Sequence, residues 1–157
     1  MPIQRFSHLG LCVTDLERSR VFYCQALGFQ QVAQFEASGE AVDTLLELRG
    51  TELHAVYLER DGLRLELLYY RQPPPLPGED PVPMNRPGFT HLSLRVQSLE
   101  SVLEAVEELG GRRLESTRTG NAALGAFAIF ALDPDGTRIE LVEQPGDPSR
   151  LPGENSR

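Results

Sequence analysis

The chain has no lysine and no tryptophan, two cysteines, two methionines and only 7% aromatic residues in 157 positions. Two cysteines cannot build a disulfide framework, and together with the absence of an export signal they predict reduced thiols in a cytoplasm. No apolar run approaches the ~20 residues needed to span a bilayer, which argues against a membrane protein. The opening Met1-Pro2-Ile3-Gln4-Arg5 offers no signal-peptide core. All 15 basic residues are arginine and face 23 Asp and Glu, a formal charge of −8. A net-acidic surface repels phosphate backbones, so nucleic acid is not an expected partner. With 40% hydrophobic residues, the length suits one ordinary soluble domain or two small modules.

An internal repeat organises the chain. Phe6-Ser7-His8-Leu9-Gly10-Leu11-Cys12-Val13 recurs as Phe89-Thr90-His91-Leu92-Ser93-Leu94-Arg95-Val96. Asp61-Gly62-Leu63-Arg64-Leu65-Glu66-Leu67-Leu68 recurs as Asp135-Gly136-Thr137-Arg138-Ile139-Glu140-Leu141-Val142. Two octets in the same order in both halves indicate a tandem duplication. The expected layout is a first module over 1–71, a connector over 72–88, a second module over 89–143 and a flexible tail over 144–157. Seven of the 17 connector residues are proline, which cannot donate to a ladder and favours an extended spacer.

Each half opens with period-2 alternation, a first strand carrying Leu9, Leu11 and Val13 on one face and His8, Gly10 and Cys12 on the other. A helix follows, with Thr14 and Glu17 as a capping box and Gly28 at its end. In the second half Leu99, Val102, Leu103, Val106 and Leu109 form the helical stripe before Gly110-Gly111. Three strands then complete each module, near 31–36, 53–59 and 63–70, and near 112–117, 127–132 and 137–143. Asp133-Pro134-Asp135-Gly136 reads as a type I turn, and 41–49 as a short inserted helix. The segment Thr119–Gly125 reads either as a flap or as a hairpin connection.

This frame puts one histidine on the first strand and one glutamate on the last strand of each module: His8 with Glu66, His91 with Glu140. Leu63, Leu65 and Leu67, like Ile139 and Leu141, must face the helices, so the glutamates face the other way. A lone strand histidine is usually a packing residue and a lone outward glutamate usually solvated. Repetition of the same pair favours a common purpose. If equivalent modules pair about a pseudo-two-fold axis, two imidazoles and two carboxylates meet, and a divalent cation offsets the cost of burying the carboxylates. The N2O2 donor set suits Ni, Co, Zn, Mn or Fe. Arg64, Arg95 and Arg138 share strand faces with this set and could grip a carboxylate, phosphate or CoA group, or be tied up in salt bridges. Tyr70 belongs near the cavity mouth, and His54 is either an extra acid/base or a structural histidine.

These motifs, with Phe22-Tyr23 through Leu27-Gly28-Phe29, resemble the vicinal oxygen chelate superfamily over about residues 5–143. The resemblance implies an α+β fold of tandem βαβββ modules, their strands forming a curved mixed sheet around a metal-binding cavity with helices outside. The His, Glu, His, Glu order at 8, 66, 91 and 140 is similar to glyoxalase I of the bacterial type. That implies one divalent metal per site and a lactoylglutathione-lyase-like lyase or isomerase. Such an enzyme abstracts a proton beside a carbonyl, with Glu140 or Glu66 as the base and a metal-stabilised enediolate. The implied partner is a small carbonyl compound, as a thiol or CoA conjugate, and the implied assembly is a homodimer. Alternatives within the resemblance are an epimerase of an acyl-CoA substrate, an extradiol-type Fe(II) dioxygenase using His8, His91 and Glu140, and a metal-free small-molecule binding or resistance protein.

Overall fold

Asp15 and Ser98 start the two principal helices, α1 (Leu16–Gln25) and α3 (Leu99–Glu108). Asp15 is extended at φ −144° and its carboxylate accepts the Arg18 amide at 3.0 Å. The expected capping box on Thr14 is therefore displaced by one residue. The Thr14 hydroxyl accepts from the Arg18 guanidinium at 2.9 Å, and Glu17 pairs with Arg20 rather than reaching back. Aspartate satisfies an orphan helix amide at least as well as threonine, which decides the cap. Ser98 does the same for the Ser101 amide at 3.3 Å. Gly28 ends the first helix as expected, at φ +71°, with the Phe29 amide bonded back to the Tyr23 carbonyl at 3.0 Å.

A computed structural model describes residues 2–76, 78 and 81–150. The chain divides into two compact units, Met1–Asp80 and Pro81–Arg157. The first holds β1 (Leu9–Cys12), β2 (Gln30–Ser38), α2 (Glu40–Leu46), β3 (Glu52–Arg60) and β4 (Leu63–Gln72). The second holds β5 (Leu92–Val96), β6 (Arg112–Asn121), β7 (Ala126–Leu132) and β8 (Arg138–Glu143). Each forms a mixed four-stranded sheet of the same design, ordered β1-β4-β3-β2 and β5-β8-β7-β6. In both, the first strand runs parallel to the last, and the other neighbours are antiparallel. The fold is α+β, as the resemblance implied.

Several boundaries differ from expectation. The parallel ladders begin at Leu9↔Leu65 and Leu92↔Ile139, so His8 and His91 stand one residue before their strands rather than within them. The inserted helix covers Glu40–Leu46, not 41–49, and buries none of its residues. The ladder between β6 and β7 continues to Asn121↔Ala126, with a 3-10 turn at Ala122–Leu124 and Gly125 at φ +58°. Thr119–Gly125 is thus a hairpin end, not a flap. The described connector residues after Gln72 join no strand or helix up to Leu92; residues 77, 79 and 80 of the connector and 151–157 of the tail lie outside the described residues. No helix among the described residues is long and apolar enough to cross a membrane.

The helices define the inner layers. Helix α1 packs on β3 and β4, and α3 packs on β6, β7 and β8. Val56, Leu58, Leu65 and Leu67 in one unit and Ile129, Ala131, Ile139 and Leu141 in the other are buried. Each large aliphatic side chain so buried contributes about 1.5–3 kcal/mol against the cost of ordering the chain. Since strand side chains alternate, these positions commit Glu66 and Glu140 to the opposite faces. The turn before β8 forms as predicted: the Gly136 amide bonds the Asp133 carbonyl at 3.1 Å. The Asp133 carboxylate takes the Asp135 and Thr137 amides at 2.9 and 2.7 Å, fixing where β8 begins.

Candidate metal centre

In the first unit Glu66 lies across from Gly10 on β1 and Tyr57 on β3. Placing a glycine at position 10 leaves the carboxylate's near side to the residue two positions earlier, His8. The His8 Nε2 stands 3.0 Å from Glu66 Oε2. Its other ring nitrogen, Nδ1, meets the Ser7 hydroxyl at 2.9 Å. The Tyr57 ring packs edge-on against the imidazole, centroids 5.3 Å apart, and its hydroxyl donates to Glu66. Burial, then the Glu66 hydrogen bond and charge, push the Tyr57 phenol up to about 12, so it remains a donor. Phe35 stacks on the far side of Tyr57 at 6.0 Å.

The second unit repeats the construction. His91 Nε2 stands 3.7 Å from Glu140 Oε2, and its Nδ1 meets the Thr90 hydroxyl at 2.8 Å. Phe130, directly across from Glu140, packs edge-on against His91 at 5.4 Å. Two substitutions within the repeat change who donates to the carboxylate. Phe130 has no hydroxyl, but Ser93 replaces Gly10 and donates to Glu140 Oε2 at 2.6 Å. The Glu140 side chain is also more open, 31% exposed against 10% for Glu66.

The donor chemistry fits a divalent cation. In both units a hydroxyl on Nδ1 orients the ring and directs Nε2 to a carboxylate, the arrangement by which outer partners fix metal-ligating histidines. Each unit supplies one nitrogen and one carboxylate, and among the described residues no group of three or more His, Cys, Asp or Glu is gathered as a metal site. The orienting hydroxyls of Ser7 and Thr90 and the paired aromatics Tyr57 and Phe130 were not singled out from sequence. The first were visible in the repeated octet; the second needed the strand register.

The remaining expected site residues separate. Tyr70 lies on the Glu66 face of β4, and burial, followed by the Cys12 and Glu66 charges, raises its phenol. Arg64 is on that face too, with its Nε 2.6 Å from Glu59 Oε2. Arg95 donates to the Gln144 carbonyl at 2.8 Å and the Pro145 carbonyl at 3.0 Å, securing the segment after β8. Arg138 stays on the Glu140 face, its guanidinium 5.5 Å above the Phe130 ring. His54 is not brought to the Glu66 face. It pairs across to Tyr69 and Glu36 and lines an outer hollow of about 290 Å³ with Leu16, Arg20 and Gln34. Neither Cys12 nor Cys24 is in a disulfide.

Comparison with known proteins follows the same lines. The family model described as the Glyoxalase/Bleomycin resistance protein/Dioxygenase superfamily matches residues 5–141. Among curated relatives, YwkD of Bacillus subtilis is 29% identical, the match spanning 92% of this chain and all of that protein. The lactoylglutathione lyase of Schizosaccharomyces pombe is 30% identical over 92% of this chain but 49% of its own length. Among solved structures, a glyoxalase family protein from Bacillus cereus aligns with a TM-score of 0.79 at 16% identity, covering 93% of this chain and 97% of that one. The trypanothione-dependent glyoxalase I of Leishmania major aligns with a TM-score of 0.61 at 19% identity, covering 90% and 87%. The chain belongs to the Glyoxalase/Bleomycin resistance protein/Dioxygenase superfamily.

Proposed function

We propose that this protein is a divalent-metal-dependent lyase or isomerase of the glyoxalase I type, acting on a small carbonyl compound, with His8, Glu66, His91 and Glu140 as its metal ligands. The observation that carries the reading is the duplicated pair: in both units a histidine, oriented by the hydroxyl before it, faces a strand glutamate and rests on an aromatic ring. The lactoylglutathione lyase from S. pombe and the glyoxalase I from L. major, similar over nearly all of this chain, support the same class. A bound Ni, Co, Zn, Mn or Fe ion supplies positive charge for the oxyanion that develops when a proton leaves the carbon beside the carbonyl.

The two glutamates then divide the work. Glu66 is buried and held by His8 and the Tyr57 hydroxyl, which suits a fixed ligand. Glu140 is more open, 3.7 Å from its histidine, and held by the single Ser93 hydroxyl. It is the carboxylate that can turn to take the substrate proton and return it to the neighbouring carbon. The same reading has the protein act in the cytoplasm on a thiol or CoA conjugate, and as a homodimer through the open sheet edges.

The test is exchange of the substrate's carbon-bound proton with deuterated solvent, followed by NMR, using hemithioacetals and acyl-CoA thioesters with metal-loaded protein. Glu140→Gln should abolish exchange while metal stays bound, and Glu66→Gln should weaken the metal first. Exchange unaffected by Glu140→Gln would overturn the assignment of the base. No exchange on any of these substrates would overturn the lyase/isomerase reading.

A further inference from the structure

The duplication places an arginine two residues before each glutamate, Arg64 before Glu66 and Arg138 before Glu140. Both lie on the glutamate face of their strands. Their cross-strand neighbours differ. Across from Arg64 on β3 is Glu59, whose carboxylate neutralises it at 2.6 Å. Across from Arg138 on β7 is Leu132, which is buried and carries no charge. Arg138 instead donates its Nε to the Val82 carbonyl at 3.2 Å and lies over the Phe130 ring. No ion pair between Arg138 and a described carboxylate forms. Phe130 also touches His91, so imidazole, ring and guanidinium form a contiguous row beside Glu140.

A guanidinium set in place by its Nε and by an aromatic face is pre-organised, with little left to order when an anion arrives. Its terminal nitrogens match the spacing of two oxyanion oxygens. In a chain of net charge −8, such a local cation decides whether an anion can approach the carboxylate next to it. We propose that Arg138 is the anchor for an oxyanion group on the substrate, so that the substrate is an anionic carbonyl compound and not a neutral one. The identity of the reaction rests on the function proposed above; the anion site does not. Arg64, neutralised by Glu59, is its built-in negative control.

The experiment begins with binding to metal-free protein. Pyruvate, its neutral counterpart methyl pyruvate, and inorganic phosphate are titrated while the backbone amide signals of Phe130 and Ile139, beside Arg138, are followed by NMR. The expected result is a saturable shift with pyruvate or phosphate, whichever oxyanion the site prefers, and none with methyl pyruvate. Arg138→Met should weaken anion binding at least tenfold, Arg138→Lys should restore part of it, and Arg64→Met should leave it unchanged. Binding lost equally in Arg138→Met and Arg64→Met, or no anion binding by the parent protein, would overturn the proposal. A kinetic arm separates it from the proposed reaction. In metal-loaded protein, Arg138→Met should raise KM for anionic substrates with little change in kcat and spare neutral ones. Exchange that is equally fast on both classes in Arg138→Met sinks the anchor alone. Absence of exchange with intact anion binding sinks the reaction alone.

Discussion

The hydroxyls of Ser7 and Thr90 offer a quantitative test of the repeated His–Glu construction. Each lies within 2.9 Å of a histidine Nδ1, leaving Nε2 to face the carboxylate. Losing such an outer partner typically weakens metal binding 10–100-fold. Both contacts are exposed, so water can take over the Nδ1 bond in a variant and recover part of the loss. The lower end of the range is therefore expected: about tenfold, or about 1.4 kcal/mol, for Ser7→Ala and for Thr90→Val separately. The two positions act on different histidines, so the double variant should lose up to about 100-fold, the additive limit. Thr90→Ser keeps the hydroxyl and should bind metal as the parent does. Competition against a chromophoric chelator measures all four. If Ser7→Ala and Thr90→Val both stay within about twofold of the parent, the hydroxyls do not hold the imidazoles and the argument from pre-organisation fails.

Other consequences follow from the fold. Leu67, fully buried beneath α1, should cost about 2–5 kcal/mol when cut to alanine, read by urea unfolding; a loss under about 1 kcal/mol would contradict the packing described. A Cβ at Gly120 would lie 2.8 Å from the Ala126 carbonyl oxygen, so Gly120→Ala should destabilise by about 1–3 kcal/mol, whereas a neutral effect would refute the tight β6–β7 hairpin. The Asp43 carboxyl is held below its usual range by Thr51, whose amide it accepts at 2.8 Å, and by the Gly50 amide at 2.8 Å. A depressed carboxyl stabilises above its unfolded pKa and loses that contribution as pH falls through the folded value. Amide exchange at Gly50 and Thr51 should therefore lose protection from about pH 4 downward; unchanged protection to about pH 2 would count against the clasp.

Much of this architecture could be read from the repeat, because duplicated octets mark equivalent strand positions and alternation then assigns faces. Glu66 and Glu140 oppose buried Leu65, Leu67, Ile139 and Leu141, as alternation required. What the sequence concealed depended on pairing between distant segments. Tyr57 and Phe130 become visible as equivalents only when β3 and β7 are aligned against Glu66 and Glu140. The fates of Arg64 and Arg138 turn on Glu59 and Leu132, neighbours set by register rather than by local pattern. His54 falls on the helix side because the register pairs it with Tyr69, and the N-cap moved from Thr14 to Asp15 because two adjacent residues competed for one amide.

Metal titration of the purified chain bears most directly on the central claim. The protein is stripped, reloaded in turn with Ni, Co, Zn, Mn and Fe(II), and analysed for metal content alongside His8→Ala, His91→Ala and the pair together. The account predicts one tightly held ion per chain for at least one of these metals, weakened by loss of either histidine and abolished by loss of both. No metal retained under any loading, or retention untouched by removing both histidines, would contradict it.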